Sequence, residues 1–279
     1  IGVGKAGSPF NKAVTWYGRP LGASSPSPFS PKEIDQFHFS SSLNLNLSDS
    51  KKLEFSLTHS EHENTMSRPD TISSRFSAAL NNTGGPNSDL TWNLFDSSQN
   101  TEALKSYISG SEDSTHHSKL SIIDVLFKNK INNVDYILGI QAGSESLDIN
   151  WNDLSRVEFD ADGKMSKAAD LLFLGGGSNV DSQREKYSIF SEIYPFVGND
   201  LDLKLSARYE KIGNETSFDP KISLKKYFNN NIILRASMGT SFAMPSLGQL
   251  YSARTSLNRV DGNFIRVSKI GNLNLKPQS

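Results

Sequence analysis

From Leu201 onward, apolar and polar residues alternate one for one: Leu201, Leu203, Leu205, Ala207 and Tyr209 on one parity, Asp202, Lys204, Ser206, Arg208 and Glu210 on the other. Successive side chains of a strand point to opposite faces, so this segment has one apolar face and one ionised face. The pattern recurs in neighbouring segments from Lys186 to Phe242. Long alternating strands, joined by very short and very long connections in turn, describe a barrel wall with lipid outside and an aqueous lumen inside.

Composition agrees with strands and excludes membrane helices. The hydrophobic fraction of 36% and mean hydropathy of -0.44 are low, and no stretch reaches the roughly 20 apolar residues that a spanning helix needs. A spanning strand needs only about 9–11 residues and gives half of them to lipid. The net charge of -1 offers no basic face for nucleic acid, and the absence of cysteine excludes disulfides and thiolate metal sites. The start, Ile1-Gly2-Val3-Gly4-Lys5, is neither an initiator methionine nor a signal peptide, and reads as truncated.

The expected strands are Gln36 to Leu47, Leu53 to His59, Lys119 to Phe127, Val134 to Leu147, Lys186 to Val197, Leu201 to Lys211, Phe218 to Phe228 and Ile232 to Phe242, with a weaker segment at Ala13 to Tyr17. Short turns rich in Gly, Asn and Asp fall at Ser48 to Lys51, Lys128 to Asn133, Gly198 to Asp200 and Asn229 to Asn231. Long polar excursions run from Ser60 to Ser118 and from Asp148 to Glu185, with a brief connection near Gly213.

Short turns at the periplasmic end place Phe127, Tyr136, Tyr194, Phe196, Tyr227 and Phe228 in one aromatic band, and Phe39, Tyr187 and Tyr209 in another near the outer ends. The first strand then starts outside and the last finishes outside, as in a section cut from a larger wall. The fold class is all-β, an antiparallel up-and-down transmembrane barrel wall of about eight or nine strands with long extracellular loops.

An arginine on the lipid face at the membrane midplane costs roughly 2–4 kcal/mol, so Arg235 is expected to face the lumen. Lys204, Arg208, Glu210, Asp219 and Lys221 fall on matching inward parities. Lys225 and Lys226 cannot both face inward, and one is placed to snorkel. Trp92, Phe95 and Trp151 lie in the long loops and are candidate ligand contacts, with loop-on-loop packing as the other reading.

His59, Glu61, His62, Glu63 and the His116-His117 pair read as a solvated loop rather than a metal site, Gly175-Gly176-Gly177 as a flexible loop tip, and Asp160, Asp162 and Gly163 as an incomplete calcium loop. No constellation for catalysis, metal or cofactor emerges.

The stretch "QREKYSIFSEIYPFVGNDLDLKLSARYEKIG", followed by "SFDPKISLKKYFNNNIILRASMGTSFAMPSLGQLY", resembles the barrel strands of TonB-dependent outer-membrane receptors. The resemblance is carried by Phe190, Glu192, Pro195, Ala207, Arg208, Tyr209, Glu210, Pro220, Lys221, Arg235, Ala236, Ser237, Phe242, Pro245 and Ser246. The terminal "NLNLKPQS" resembles the motif that opens a later strand, with Gln278 where glutamate is usual. "GRPLG" from Gly18 and "SAALNNTGGPN" are similar to the long-loop subfamily, whose cysteines are missing here.

The resemblance implies an energised transporter of the outer membrane: a barrel of about 22 strands filled by an N-terminal plug and driven through a periplasmic partner. Residues 1–279 then form a partial barrel domain in contact with lipid, with the plug absent. The ligand is a scarce siderophore, cobalamin, oligosaccharide or similar. The alternatives are a passive porin-like channel, marked by a loop folded into the lumen, and a soluble secreted β-rich binding protein.

Overall fold

A computed structural model describes residues 1–19, 21–22, 29–132, 134–229 and 232–278. Eight strands form one antiparallel sheet in sequence order: β1 (Lys32–Asn46), β2 (Lys51–Thr71), β3 (Ser109–Ile131), β4 (Val134–Trp151), β8 (Val180–Tyr194), β9 (Leu201–Ile212), β10 (Glu215–Asn229) and β11 (Ile232–Gly239). β1 and β11 are edges, so the wall is open. No helix among the described residues is long and apolar enough to cross a membrane.

Register shows why the pattern folds this way. Leu205 pairs with Ile193 and Ile222, and Tyr209 with Ile189 and Phe218. One face of the sheet is therefore continuously apolar, and it is the more exposed one: Leu205 is 40% and Ile140 52% exposed, whereas Glu210 on the opposite face is 7% exposed. A sheet in a water-soluble core has the reverse polarity. Phe127 and Tyr136 meet on the apolar face near the short turns, with ring centroids 6.2 Å apart. Tyr194 and Tyr227 project from the polar face, so the band expected at this end is thinner than the sequence indicated.

The sheet departs from the expected boundaries chiefly at β2 and β3. Where a polar loop was expected from Ser60 to Ser118, the two strands continue in register to the Thr71–Ser109 pair. Each side of this extension is polar, so hydrophobic alternation vanishes while the backbone ladder persists. Beyond it, α1 (Ser73–Leu80) and α2 (Glu102–Ile108) close a small core of Phe76, Ala79, Trp92, Leu104 and Ile108. Thr101 caps α2 by accepting from the Leu104 amide. Residues 1–14 pack against this unit through Ala6, whose carbonyl accepts from Leu94 N at 3.0 Å. Ala13 to Tyr17 forms no strand.

The 152–179 connection holds a short hairpin, β5 (Glu158–Phe159) with β6 (Met165–Lys167), and then β7 (Gly176–Gly177). The Asp160 carboxylate accepts from the amides of Asp162 and Lys164 in the tip of that hairpin. Gly176 and Gly177 are buried and pair with a later strand, which corrects the reading of a flexible tip. A Cβ on Gly176 would lie 1.8 Å from the Ser155 carbonyl oxygen, so only glycine allows this approach. After β11 come α3 (Leu247–Tyr251) and a hairpin of β12 (Arg254–Val260) and β13 (Asn263–Lys269), turned by Asp261-Gly262 at positive φ. The turn expected at Asn229 to Asn231 lies partly outside the described residues, as does Asn133.

Candidate functional site

The polar face carries a ladder of hydrogen bonds running across strands. Arg208 Nε donates to Glu210 Oε2 at 2.9 Å, and Arg208 Nη2 donates to Gln141 Oε1 at 2.8 Å. Gln141 Nε2 donates to Asp124 Oδ1 at 2.6 Å, and the Ser56 hydroxyl reaches the other Asp124 oxygen. Phe190 lies under the guanidinium, 5.4 Å from ring centroid to Cζ. Nearer the short turns, Lys204 pairs with Glu192 at 2.6 Å and Lys225 with Asp202 at 3.7 Å.

Register places all six inward candidates on this one face. Lys204 and Ser223, Arg208 and Asp219, and Glu210 and Ser217 are cross-strand partners, Lys221 lies opposite Ser206, and Arg235 lies opposite Lys225. Lys226 is on the apolar face and bends to the Asp200 carboxylate in the adjacent turn. The Arg208–Glu210, Lys204–Glu192 and Lys225–Asp202 pairs let a half-buried face hold those charges without isolating them.

The loop aromatics separate into different roles. Trp92 is 3% exposed and meets Phe76 edge-on at 5.8 Å, so it is core. Phe95 is 37% exposed beside Phe10, with centroids 5.9 Å apart. Trp151 is 6% exposed on the polar face at the long-loop end, walled by Gly177 and by the His116 ring at 5.8 Å.

Around Trp151 the structure assembles a cluster of side chains that the sequence did not disclose. Arg68 pairs with the fully buried Glu112. The Arg254 guanidinium lies 5.7 Å from the Trp151 ring centroid. Burial, with Arg254 and Lys32 facing it, holds the His116 imidazole below its ordinary pKa. The only advance signal was the Asp-Gly turn, which marks the hairpin delivering Arg254.

The histidines expected in a loop lie instead on strands and divide between faces. His59, Glu61 and His117 share the apolar-side face above its greasy band, with His59 Nε2 to Glu61 Oε1 at 3.0 Å, while His62 and His116 project oppositely. Among the described residues no group of three or more metal-ligating side chains is arranged to hold an ion.

The connection after β11 folds onto the polar face. Arg184 Nη1 donates to the Pro245 carbonyl at 2.7 Å while pairing with Glu145, and Gly248 lies against Leu147. Ser246 and Gln249 close a capping box that starts α3.

A family model described as TonB dependent receptor-like, beta-barrel matches residues 3–279. No curated protein matches by sequence. Similar solved structures include the copper transporter OprC, at 12% identity and TM-score 0.44 over 80% of this chain and 34% of that one. The siderophore receptor PirA from Pseudomonas aeruginosa gives 11% identity and TM-score 0.41, over 88% and 41%. A mutant of the ferric enterobactin receptor PfeA from the same organism gives 14% and 0.38, over 88% and 39%. The chain thus spans well under half the length of these structures.

Proposed function

The chain belongs to the TonB dependent receptor-like β-barrel family, and from that premise we propose that it forms part of the wall of an outer-membrane receptor that takes up a scarce extracellular ligand. The observation that carries this reading is the inverted polarity of the sheet, with Leu205 and Ile140 exposed on one face and Glu210 enclosed in an ion-paired ladder on the other. The apolar face meets lipid and the polar face lines the lumen. The short turns are periplasmic, and the long-loop end, with Phe95 and the Trp151 cluster, faces the medium and receives ligand. Siderophores and metal complexes are the ligands favoured, as the names of the similar structures suggest.

In this reading a plug domain contributed by the wider protein occupies the lumen against Lys204, Arg208, Glu210, Asp219, Lys221 and Arg235. An energy-coupling partner acts on it from the periplasm. The test is accumulation of a radiolabelled ferric chelate by cells expressing the whole receptor. Uptake abolished by a protonophore supports the energised receptor.

A passive channel is favoured by one observation: the segment around Pro245 and Leu247 is held on the lumen face by Arg184, as a constriction loop would be. That reading requires uptake that survives the protonophore.

A further inference from the structure

Two cavities meet at Tyr187. On the apolar face a groove of about 370 Å³ lies among β3, β4, β8 and β9. Its origin is one short side chain: Ile123, Ala142, Tyr187 and Lys211 stand side by side across these strands, and Ala142 leaves a gap between Ile123 and Tyr187. Val125, Ile140, Ile189 and Tyr209 of the next rung form the rest of the wall. Every strand around the groove is hydrogen-bonded on both sides, so its shape does not depend on what pairs with β1 or β11.

Toward the long-loop end of the same strands, a second cavity of about 700 Å³ adjoins the β9–β10 turn, with Glu185, Lys211, Asn214 and Glu215 in its polar lining. Tyr187 lines both spaces, and its hydroxyl donates to Glu185 Oε2 at 2.9 Å. An apolar slot thus continues into a polar chamber, the shape of an amphiphile rather than of a wholly apolar or wholly polar guest. In lipid the hydrophobic effect selects no occupant, because the tails are as apolar as the wall, and retention comes from packing and from polar groups at the end of the slot.

The chamber also constrains the headgroup. It offers carboxylates, an amide and one lysine, Lys211, while its Arg184 is already engaged by Glu145 and the Pro245 carbonyl. Carboxylate and amide groups accept from and donate to hydroxyls, and a lysine at headgroup level attracts phosphate. A cavity nearly twice the volume of the groove suits a sugar better than a bare phosphodiester.

We propose that groove and chamber together hold one phosphorylated, sugar-headed membrane lipid, with an acyl chain over Ala142, headgroup hydroxyls at Glu185 and Asn214, and phosphate at Lys211. This rests on the receptor reading, in which the apolar face meets lipid, and adds to it a fixed lipid partner.

The test is native mass spectrometry of the whole receptor in detergent, incubated with a monophosphorylated acyl-glucosamine disaccharide or with phosphatidylglycerol. The expected result is a single retained copy of the glycolipid and little phosphatidylglycerol. Ala142→Leu fills the groove from an exposed position and lowers glycolipid retention about fivefold or more. Lys211→Gln lowers it about fivefold. Ala207→Leu, on the same face but outside the groove, leaves it unchanged. Equal retention of the two lipids, glycolipid retention unaltered by Ala142→Leu, or an equal loss with Ala207→Leu would overturn the proposal. None of these results bears on the receptor reading, which fails instead if uptake is indifferent to the protonophore.

Discussion

Arg208 donates to Glu210 from the same face of β9, two residues along the strand, and Glu210 is among the most enclosed carboxylates in the sheet. Removing Glu210 leaves the guanidinium with Gln141 as its remaining hydrogen-bond partner. Glu210→Ala is expected to destabilise the folded protein by about 1–3 kcal/mol, and Glu210→Gln by less, because the amide oxygen still accepts. Denaturant unfolding from lipid vesicles measures both, and an unchanged midpoint for Glu210→Ala would contradict the role assigned to the ladder.

The two faces of β9 respond oppositely to charge. Leu205→Arg puts a guanidinium on the lipid side and costs about 2–4 kcal/mol near mid-membrane. The neighbouring Ser206→Arg points into the lumen and costs far less. Comparing the two variants in the vesicle unfolding assay checks the assignment, and equal costs would count against it.

Trp92 anchors the unit between β2 and β3 rather than offering a ring to solvent. Trp92→Ala is expected to remove about 3–5 kcal/mol from that core. Limited proteolysis should then cut between residues 72 and 108 while the wall stays intact. Phe95→Ala should leave proteolysis unchanged and, in the proposed role of Phe95 at the ligand-receiving end, weaken binding. Trp92→Ala protein as resistant as the parent would show that the core lies elsewhere.

Asp70 gives a pH dependence. Burial pushes its carboxyl above the ordinary carboxylate value, against the amides of Leu174, Thr71 and Phe173 that donate to it. A group whose folded pKa is raised in this way favours the folded state when protonated. The local stabilisation is full below the ordinary carboxylate pKa and falls as pH rises through the higher folded value. Hydrogen exchange at the Phe173 and Leu174 amides, corrected for intrinsic rates, should show protection declining over that interval, and Asp70→Asn should abolish the step. A decline that persists in Asp70→Asn would place its origin in another group.

Sequence reading reached as far as lipid reaches. β9 was legible almost residue for residue, Leu201 to Lys211 expected and Leu201–Ile212 found, because its positions alternate between an apolar and a polar face. β2 was expected to end at His59 and runs to Thr71, since beyond the apolar band water wets both sides and strands such as His62 to Met66 lose their periodicity. α1 and α2 escaped notice because eight and seven residues carry too few apolar positions to show a helical repeat. That Lys204, Arg208, Glu210, Asp219, Lys221 and Arg235 share one face of the sheet followed from parity alone. The cluster around Trp151 did not, since Arg68, Glu112, Trp151 and Arg254 come from four separate strands and only tertiary folding joins them.

Residues 1–279 contain no cysteine, so single cysteines placed there, with any elsewhere in the receptor replaced, report on the wall, and labelling them in membranes tests the inside-out wall most directly. Cysteines at Leu138, Leu205 and Ile222 on one face, and at Lys204, Arg208 and Lys221 on the other, would be challenged with a membrane-impermeant maleimide and with a lipid-soluble one in plug-deleted receptor. The account predicts that the first three react only with the lipid-soluble reagent and the second three with the impermeant one. Impermeant labelling of Leu138, Leu205 and Ile222 positions alike would contradict it.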